Sequence, residues 1–207
     1  DRQIWESLIG SGLKHYDHRI HAYCWMSNHV HILIQSGPEP LARFMAYIAG
    51  NYARRANIRA GRSGHLFERR YRAILVQANS YLLELVRYIH RNPVRAELAA
   101  NCSDYQWSSH QAYTGAQCPD WLSVSFVLKM FGATLKRARK NYLTFLDEPE
   151  QSTVIDYLSN GSSHDDRAIG SDDWLKQTTG IVFAPAPKAT LDDLITKHCT
   201  LSNVSEA

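Results

Sequence analysis

The chain has 207 residues, of which 44% are hydrophobic and 21% charged, with a formal net charge of +3. These values fit one large globular domain, or one domain with an appendage, and exclude a chain that is disordered throughout. No apolar run approaches the 18 residues a membrane span needs, and Asp1-Arg2-Gln3 does not open a signal peptide, so a cytoplasmic protein without a membrane partner is expected.

In chain order, Ile4, Trp5, Leu8, Ile9 and Leu13 form one helical stripe, with Asp1 placed to cap it and Gly10 and Gly12 weakening its end. His18 to Trp25 reads as a strand, joined through a short Ser27-Asn28 turn to a second strand. That strand begins at His29. Its alternation places His29, His31 and Leu33 on one face and Val30, Ile32 and Ile34 on the other. Two histidines two apart on a strand lie within reach of one metal ion, although His-x-His alone is a weak signal. His15, His18 and His21 have no acid spaced to complete a site with them, and surface or turn positions are expected. The four cysteines form no Cys-x-x-Cys pair, so neither a structural zinc site nor a disulfide framework is suggested.

After the loop Gly37 to Pro40, Leu41, Phe44, Met45, Ile48 and Tyr52 repeat at three and four through a helix ending near Asn57. Arg43, Arg54, Arg55, Arg59, Arg62, Arg69, Arg70 and Arg72 fall in one segment whose only acid is Glu68. A nearly acid-free arginine block suits a phosphate backbone, and Phe67 and Tyr71 interleave with it as stacking partners of bases would, with His65 beside them to touch the backbone. Ala73 to Gln77 reads as a third strand. Asn79 or Ser80 caps the next helix, whose stripe is Leu82, Leu85, Val86 and Ile89, and Asn92-Pro93 ends or restarts it. Trp121 to Phe131 and Leu135 to Leu146 read as amphipathic helices, Gln151 to Asp166 is polar, and Ile181 to Pro187 reads as a linker.

Three segments together carry a family resemblance. They are His21-Ala-Tyr-Cys-Trp-Met-Ser-Asn-His-Val-His31, Gly64-His-Leu-Phe-Glu-Arg-Arg-Tyr71 and Tyr81-Leu-Leu-Glu-Leu-Val-Arg-Tyr-Ile-His-Arg-Asn-Pro-Val-Arg95. The sequence resembles the REP-associated tyrosine transposases, HUH single-strand nucleases related to the single-tyrosine insertion-sequence transposases, over roughly residues 1–146, Trp107-Ser-Ser-His110 included. The resemblance implies an α+β fold, a ferredoxin-like antiparallel sheet of strand order 4-1-3-2 with helices on one face. The family's first, central strand precedes the first helix, whereas this chain begins at the helix, so a sheet lacking that strand is expected. The domains expected are residues 1–112, the catalytic domain; 113–188, a helical extension and linker; and 189–207, the start of a truncated helix-turn-helix.

The same resemblance implies the chemistry. His29 and His31 would bind Mg²⁺ or Mn²⁺, with Asn92 as a third ligand four residues after Tyr88, and Tyr88 would attack the scissile phosphate to leave a 5′-phosphotyrosine. The substrate would be single-stranded or hairpin DNA at repetitive palindromic elements, bound through Arg54, Arg55, Arg62, His65, Phe67, Arg69, Arg70, Tyr71 and Arg72, by a monomer or homodimer. Tyr71 and Tyr81 are rival nucleophiles, and His90 is expected to be exposed. The alternative is a catalytically inactive DNA-binding remnant or regulator.

Overall fold

The computed structural model describes residues 2–149, 168–181 and 195–201. Asp1 and Gln151 to Asp166 therefore lie outside the described residues, as does most of the stretch read as a linker. Helix α1 (Arg2–Tyr16) leads into the hairpin of β1 (Arg19–Trp25) and β2 (Val30–Gln35), followed by α2 (Leu41–Ala60), β3 (Arg72–Gln77) and α3 (Ala78–Arg95). Beyond these come α4 (His110–Thr114), α5 (Ser125–Phe131), α6 (Leu135–Asp147), β4 (Ala168–Ile169), α7 (Asp172–Ile181) and β5 (Ile195–Leu201). None of the described helices is long and apolar enough to cross a membrane.

The predicted alternation in β2 holds, but both of its faces are covered. Val30, Ile32 and Ile34 pack with Trp5, Leu8, Ile9, Phe44, Met45 and Ile48 of α1 and α2. Leu33 packs on the opposite side with Ile74, Leu82, Leu85, Val86 and Ile89. The sheet thus lies between α1 and α2 on one side and α3 to α6 on the other. Helices on one face only, as expected from the resemblance, are not observed. The physical reason is in the strand itself: Val30-His-Ile-Leu-Ile34 is nearly continuous in apolar residues, as a strand covered on both faces requires.

The strand order is β1-β2-β5-β3-β4. β1 and β2 pair antiparallel, β5 pairs antiparallel with both β2 and β3, and β4 runs parallel to β3. This differs from a four-stranded ferredoxin-like sheet lacking its central strand. The place between β2 and β3 is taken by Ile195–Leu201, within the stretch read as the opening of a helix-turn-helix. Two neighbouring strand edges with unpaired N–H and C=O groups demand a partner, and Ile195, Thr196 and Thr200 are residue types that fit a pleated sheet.

Other boundaries move for local reasons. α1 runs through both Gly10 and Gly12, which allow close approach of other segments: a Cβ on Gly12 would meet Phe44 Cε2 of α2 at 2.9 Å, and one on Gly10 would meet Trp121 Cδ1 at 3.1 Å. α2 continues to Ala60, where Gly61 in the left-handed region (φ 60°) donates its N–H to the last turn. α3 begins directly at Ala78 after Gln77, with neither Asn79 nor Ser80 as its cap, and it passes through Pro93 to Arg95. Trp121 to Val124 is not helical. Leu122 forms a bridge to Ile20 beside β1, and α5 starts only at Ser125.

Candidate active site

The turn before β2 closes through a bond from Met26 N–H to His29 O at 2.9 Å, which sets His29 just outside the strand and His31 within it. The two imidazoles turn toward each other, Nε2 to Nε2 at 3.0 Å. This is the spacing of two adjacent ligand atoms at right angles about a metal held at about 2.1 Å from each. Asn28 Oδ1 lies 2.8 Å from His29 Nδ1, an acceptor that holds the ring's proton at Nδ1 and leaves Nε2 with its lone pair toward His31. Burial lowers the pKa of His29, so its neutral, ligating form prevails at neutral pH.

α3 crosses this end of the sheet with Tyr88 against His31, ring centroids 5.6 Å apart and nearly perpendicular. Tyr88 and Asn92 lie one turn apart on the same stripe, and both are 8% exposed. Asn92 Nδ2 donates to the Tyr88 carbonyl at 2.8 Å. Its Oδ1 is then the atom a metal would need. Among the described residues no three of His, Cys, Asp and Glu gather as a metal cluster. Two imidazoles joined by an amide oxygen would suit a hard cation retaining open positions.

The register ties the arginine segment to the same place. Arg72 on β3 and His31 on β2 share one row across β5, both pairing with Thr200. Two strand spacings put their backbones about 10 Å apart. Arg72 also follows the parity of Ile74 and Val76, so it lies on the face that carries His31 and α3.

Residues 1–92 match the family model described as Transposase IS200 like. No curated protein and no solved structure matches the chain. The transposase-like region runs from α1 to Asn92, so it contains the histidine pair, the arginine segment and Tyr88.

Within that region Arg54, Arg55, Arg62, His65, Arg69, Arg70 and Arg72 are exposed along the end of α2 and the loop that follows. Asn57 organises this loop, donating to Gly64 O and accepting from Arg62 Nε. Phe67 and Tyr71 differ from the expected open stacking platform. Phe67 is half-buried beside Trp5 and Tyr52, with ring centroids at 6.4 and 6.1 Å, and Tyr71 packs against the same cluster. Of the rival nucleophiles, Tyr81 packs against the core under α3, and Tyr71 belongs to the cluster that holds Trp5, Tyr52 and Phe67.

His15 is exposed as expected, but His18, His21 and His90 correct the surface reading. His18 and His21 are 4% and 1% exposed, and His90 is fully buried. His18 Nδ1 accepts from Gly37 N–H, and His21 lies between Ser123 O and Gln35 Oε1. His90, near the end of the transposase-like region, belongs to a chain of polar groups whose other members lie beyond that region. Its Nε2 lies 2.7 Å from Ser109 Oγ and its Nδ1 2.8 Å from the Tyr142 hydroxyl, which is 2.6 Å from His110 Nδ1; His110 Nε2 is 3.2 Å from Ser103 Oγ.

One proton assignment satisfies the whole chain. Ser109 donates its single hydroxyl proton to Tyr23 O and accepts from Tyr23 N–H, so His90 Nε2–H must donate to it. His90 Nδ1 then accepts from Tyr142, the Tyr142 oxygen accepts from His110 Nδ1–H, and His110 Nε2 accepts from Ser103. Both imidazoles are neutral in this assignment. Burial accounts for that, pulling His90 well below its ordinary pKa and His110 down to about 4, with Asp147 opposing the shift at His110.

α3 is clamped from the same side. Arg87, paired with buried Glu84 at 2.9 Å, donates to the carbonyls of Glu148 and Pro149, and Arg91 donates to that of Leu146. The orphan carbonyls at the end of α6 thus find their donors on the helix that carries Tyr88.

Proposed function

We propose that the chain cleaves single-stranded or hairpin DNA by metal-assisted transesterification with Tyr88 as nucleophile. The observation that carries the reading is the meeting of the His29–His31 Nε2 pair with the Tyr88 ring at the edge of an exposed arginine surface, inside a region that matches IS200-like transposases. His29 and His31, with Asn92 Oδ1, are the residues that would hold Mg²⁺ or Mn²⁺. The ion, when bound, neutralises charge on the scissile phosphate.

The chain's own residues do the rest. Arg54, Arg55, Arg62, Arg69, Arg70 and Arg72 hold the DNA backbone, while His65 reaches it from the same loop. Tyr88 Oη attacks phosphorus, the bond from phosphorus to the 3′ oxygen breaks, and DNA stays joined to the protein through a 5′-phosphotyrosine. The phenolic proton passes to solvent and the leaving 3′ oxygen takes one from water. Phenol is a weak nucleophile near pH 7, so in-line placement by α3 has to supply much of the rate.

The test is incubation with a pool of labelled single-stranded hairpin oligonucleotides and Mn²⁺, followed by denaturing electrophoresis and peptide mapping. A covalent adduct on Tyr88 is expected, and Tyr88→Phe should abolish it while leaving DNA binding within about twofold. An adduct on Tyr71 or Tyr81 would overturn the assignment of the nucleophile. A second reading, DNA binding without cleavage, is favoured by the burial of Tyr88 to 8% exposure. It predicts binding of the same oligonucleotides with no adduct at all.

A further inference from the structure

The stripe of α3 that carries Tyr88 and Asn92 continues to a third group. Arg95 lies seven positions after Tyr88, two helical turns on, and its guanidinium carbon stands 4.6 Å from the centre of the Tyr88 ring. The three arginines of α3 divide by face. Arg87 and Arg91 turn to the carbonyls at the end of α6, and Arg87 is buried with its charge balanced by Glu84. Arg95 is exposed, and its guanidinium lies over the ring of Tyr88, the same ring that meets His31 nearly at right angles.

We propose that Arg95 is a catalytic residue whose guanidinium binds the non-bridging oxygens of the phosphate attacked by Tyr88. The proposal rests on Tyr88 being the nucleophile. As the Oη–phosphorus bond forms and the bond to the 3′ oxygen breaks, negative charge grows on the non-bridging oxygens. A planar fork of N–H donors matches two of those oxygens, and its charge counts for more at a half-dry site than in bulk water. The position fits this role better than general DNA attraction. Arg95 lies against the ring of Tyr88, after the end of the transposase-like match at residue 92 and apart in sequence from the arginine block of residues 43–72. Lysine would keep the charge but lose the fork.

The experiment uses the oligonucleotide that yields the Tyr88 adduct, under single-turnover conditions with DNA saturating. Arg95→Ala should slow adduct formation about 100-fold, with the DNA dissociation constant changed less than about threefold, and Arg95→Lys should recover part of the rate. The deciding measurement replaces the scissile phosphate by a methylphosphonate, which lacks the charge that Arg95 would meet. The ratio of wild-type to Arg95→Ala rates should then collapse toward one. An undiminished ratio on the neutral linkage, or a loss confined to DNA affinity, would overturn the proposal. If wild-type protein forms no adduct on Tyr88, it is the underlying reading that fails. If wild type forms the adduct and Arg95→Ala matches its rate, only the role of Arg95 fails.

Discussion

At the scale of single residues, the histidine pair makes the sharpest demand. Two imidazole nitrogens 3.0 Å apart can share one proton or one metal ion, and only the second use contributes to phosphate chemistry. His29→Ala or His31→Ala should therefore reduce adduct formation by at least about 100-fold while sparing DNA affinity, because the arginine surface is untouched. Removing metal with EDTA should match either variant, and restoring Mn²⁺ should rescue wild type but neither mutant. Adduct formation that persists in EDTA would sink the metal assignment. The His29–His31 spacing and the position of Asn92 were legible because strand and helix periodicity act over a few residues. His90 was not legible: its partners are Ser109 and Tyr142, 19 and 52 residues away, and a helical histidine gives no local sign of such bonding. Arg95 had a usable sign, its i+7 spacing from Tyr88, which the apolar stripe of α3 obscured.

Among elements, α3 is the piece on which the proposed chemistry depends, and α6 holds it by two different devices. One is the pair of arginines on the carbonyls ending α6, and the other is the Tyr142 hydroxyl between His90 and His110. Tyr142→Phe keeps the ring but leaves a buried acceptor on His90 and a buried donor on His110 unpaired, which should cost about 1–3 kcal/mol of stability. Urea unfolding measures it, and a midpoint equal to wild type would show that the hydroxyl is not holding the chain together. The same network should make the fold acid-sensitive. A histidine whose folded pKa is depressed lets the unfolded state take up protons first, so stability is full above about pH 6.5 and declines as pH falls. For His110, depressed by burial to about 4, the loss develops between those two values and is of the order of 3 kcal/mol at its limit. Urea midpoints from pH 7.5 to 4.5 should fall steadily, and His110→Gln should flatten the curve. The elements themselves were largely readable, α1, the hairpin, α2, β3 and α3 all lying within a few residues of their expected bounds. The layer arrangement was not. Reading β2 as alternating left its second face open, although its apolar run, interrupted by His31 alone from Val30 to Ile34, already pointed to cover on both sides.

For the whole molecule, charge distribution decides more than the net charge of +3. If Arg54, Arg55, Arg62, Arg69, Arg70 and Arg72 each meet a phosphate, the logarithm of affinity for single-stranded DNA should fall with the logarithm of salt at a slope of roughly −4. Replacing Arg69 and Arg70 together by alanine should reduce the magnitude of that slope by about 1.4. Fluorescence anisotropy from 50 to 300 mM salt reads both slopes, and an unchanged slope in the double variant would remove those two arginines from the interface. The seating of Phe67 against Trp5 and Tyr52 means that this attraction rests on charge more than on base stacking.

The place of β5 also bears on the order in which the protein acquires its shape. The hairpin of β1 and β2 can close through neighbours in sequence, but β2 and β3 never pair with each other; each is bonded to β5, more than a hundred residues downstream. A chain leaving the ribosome would carry its histidine hairpin and its tyrosine helix through more than a hundred further residues with the strand between them still unmade. Long loop closures of this kind are slow, because the entropy is lost before the bonds that repay it are formed. The histidines and the tyrosine would thus come into register only after β5 has been made, and a nascent chain would display its arginines before the histidine pair and Tyr88 are brought together.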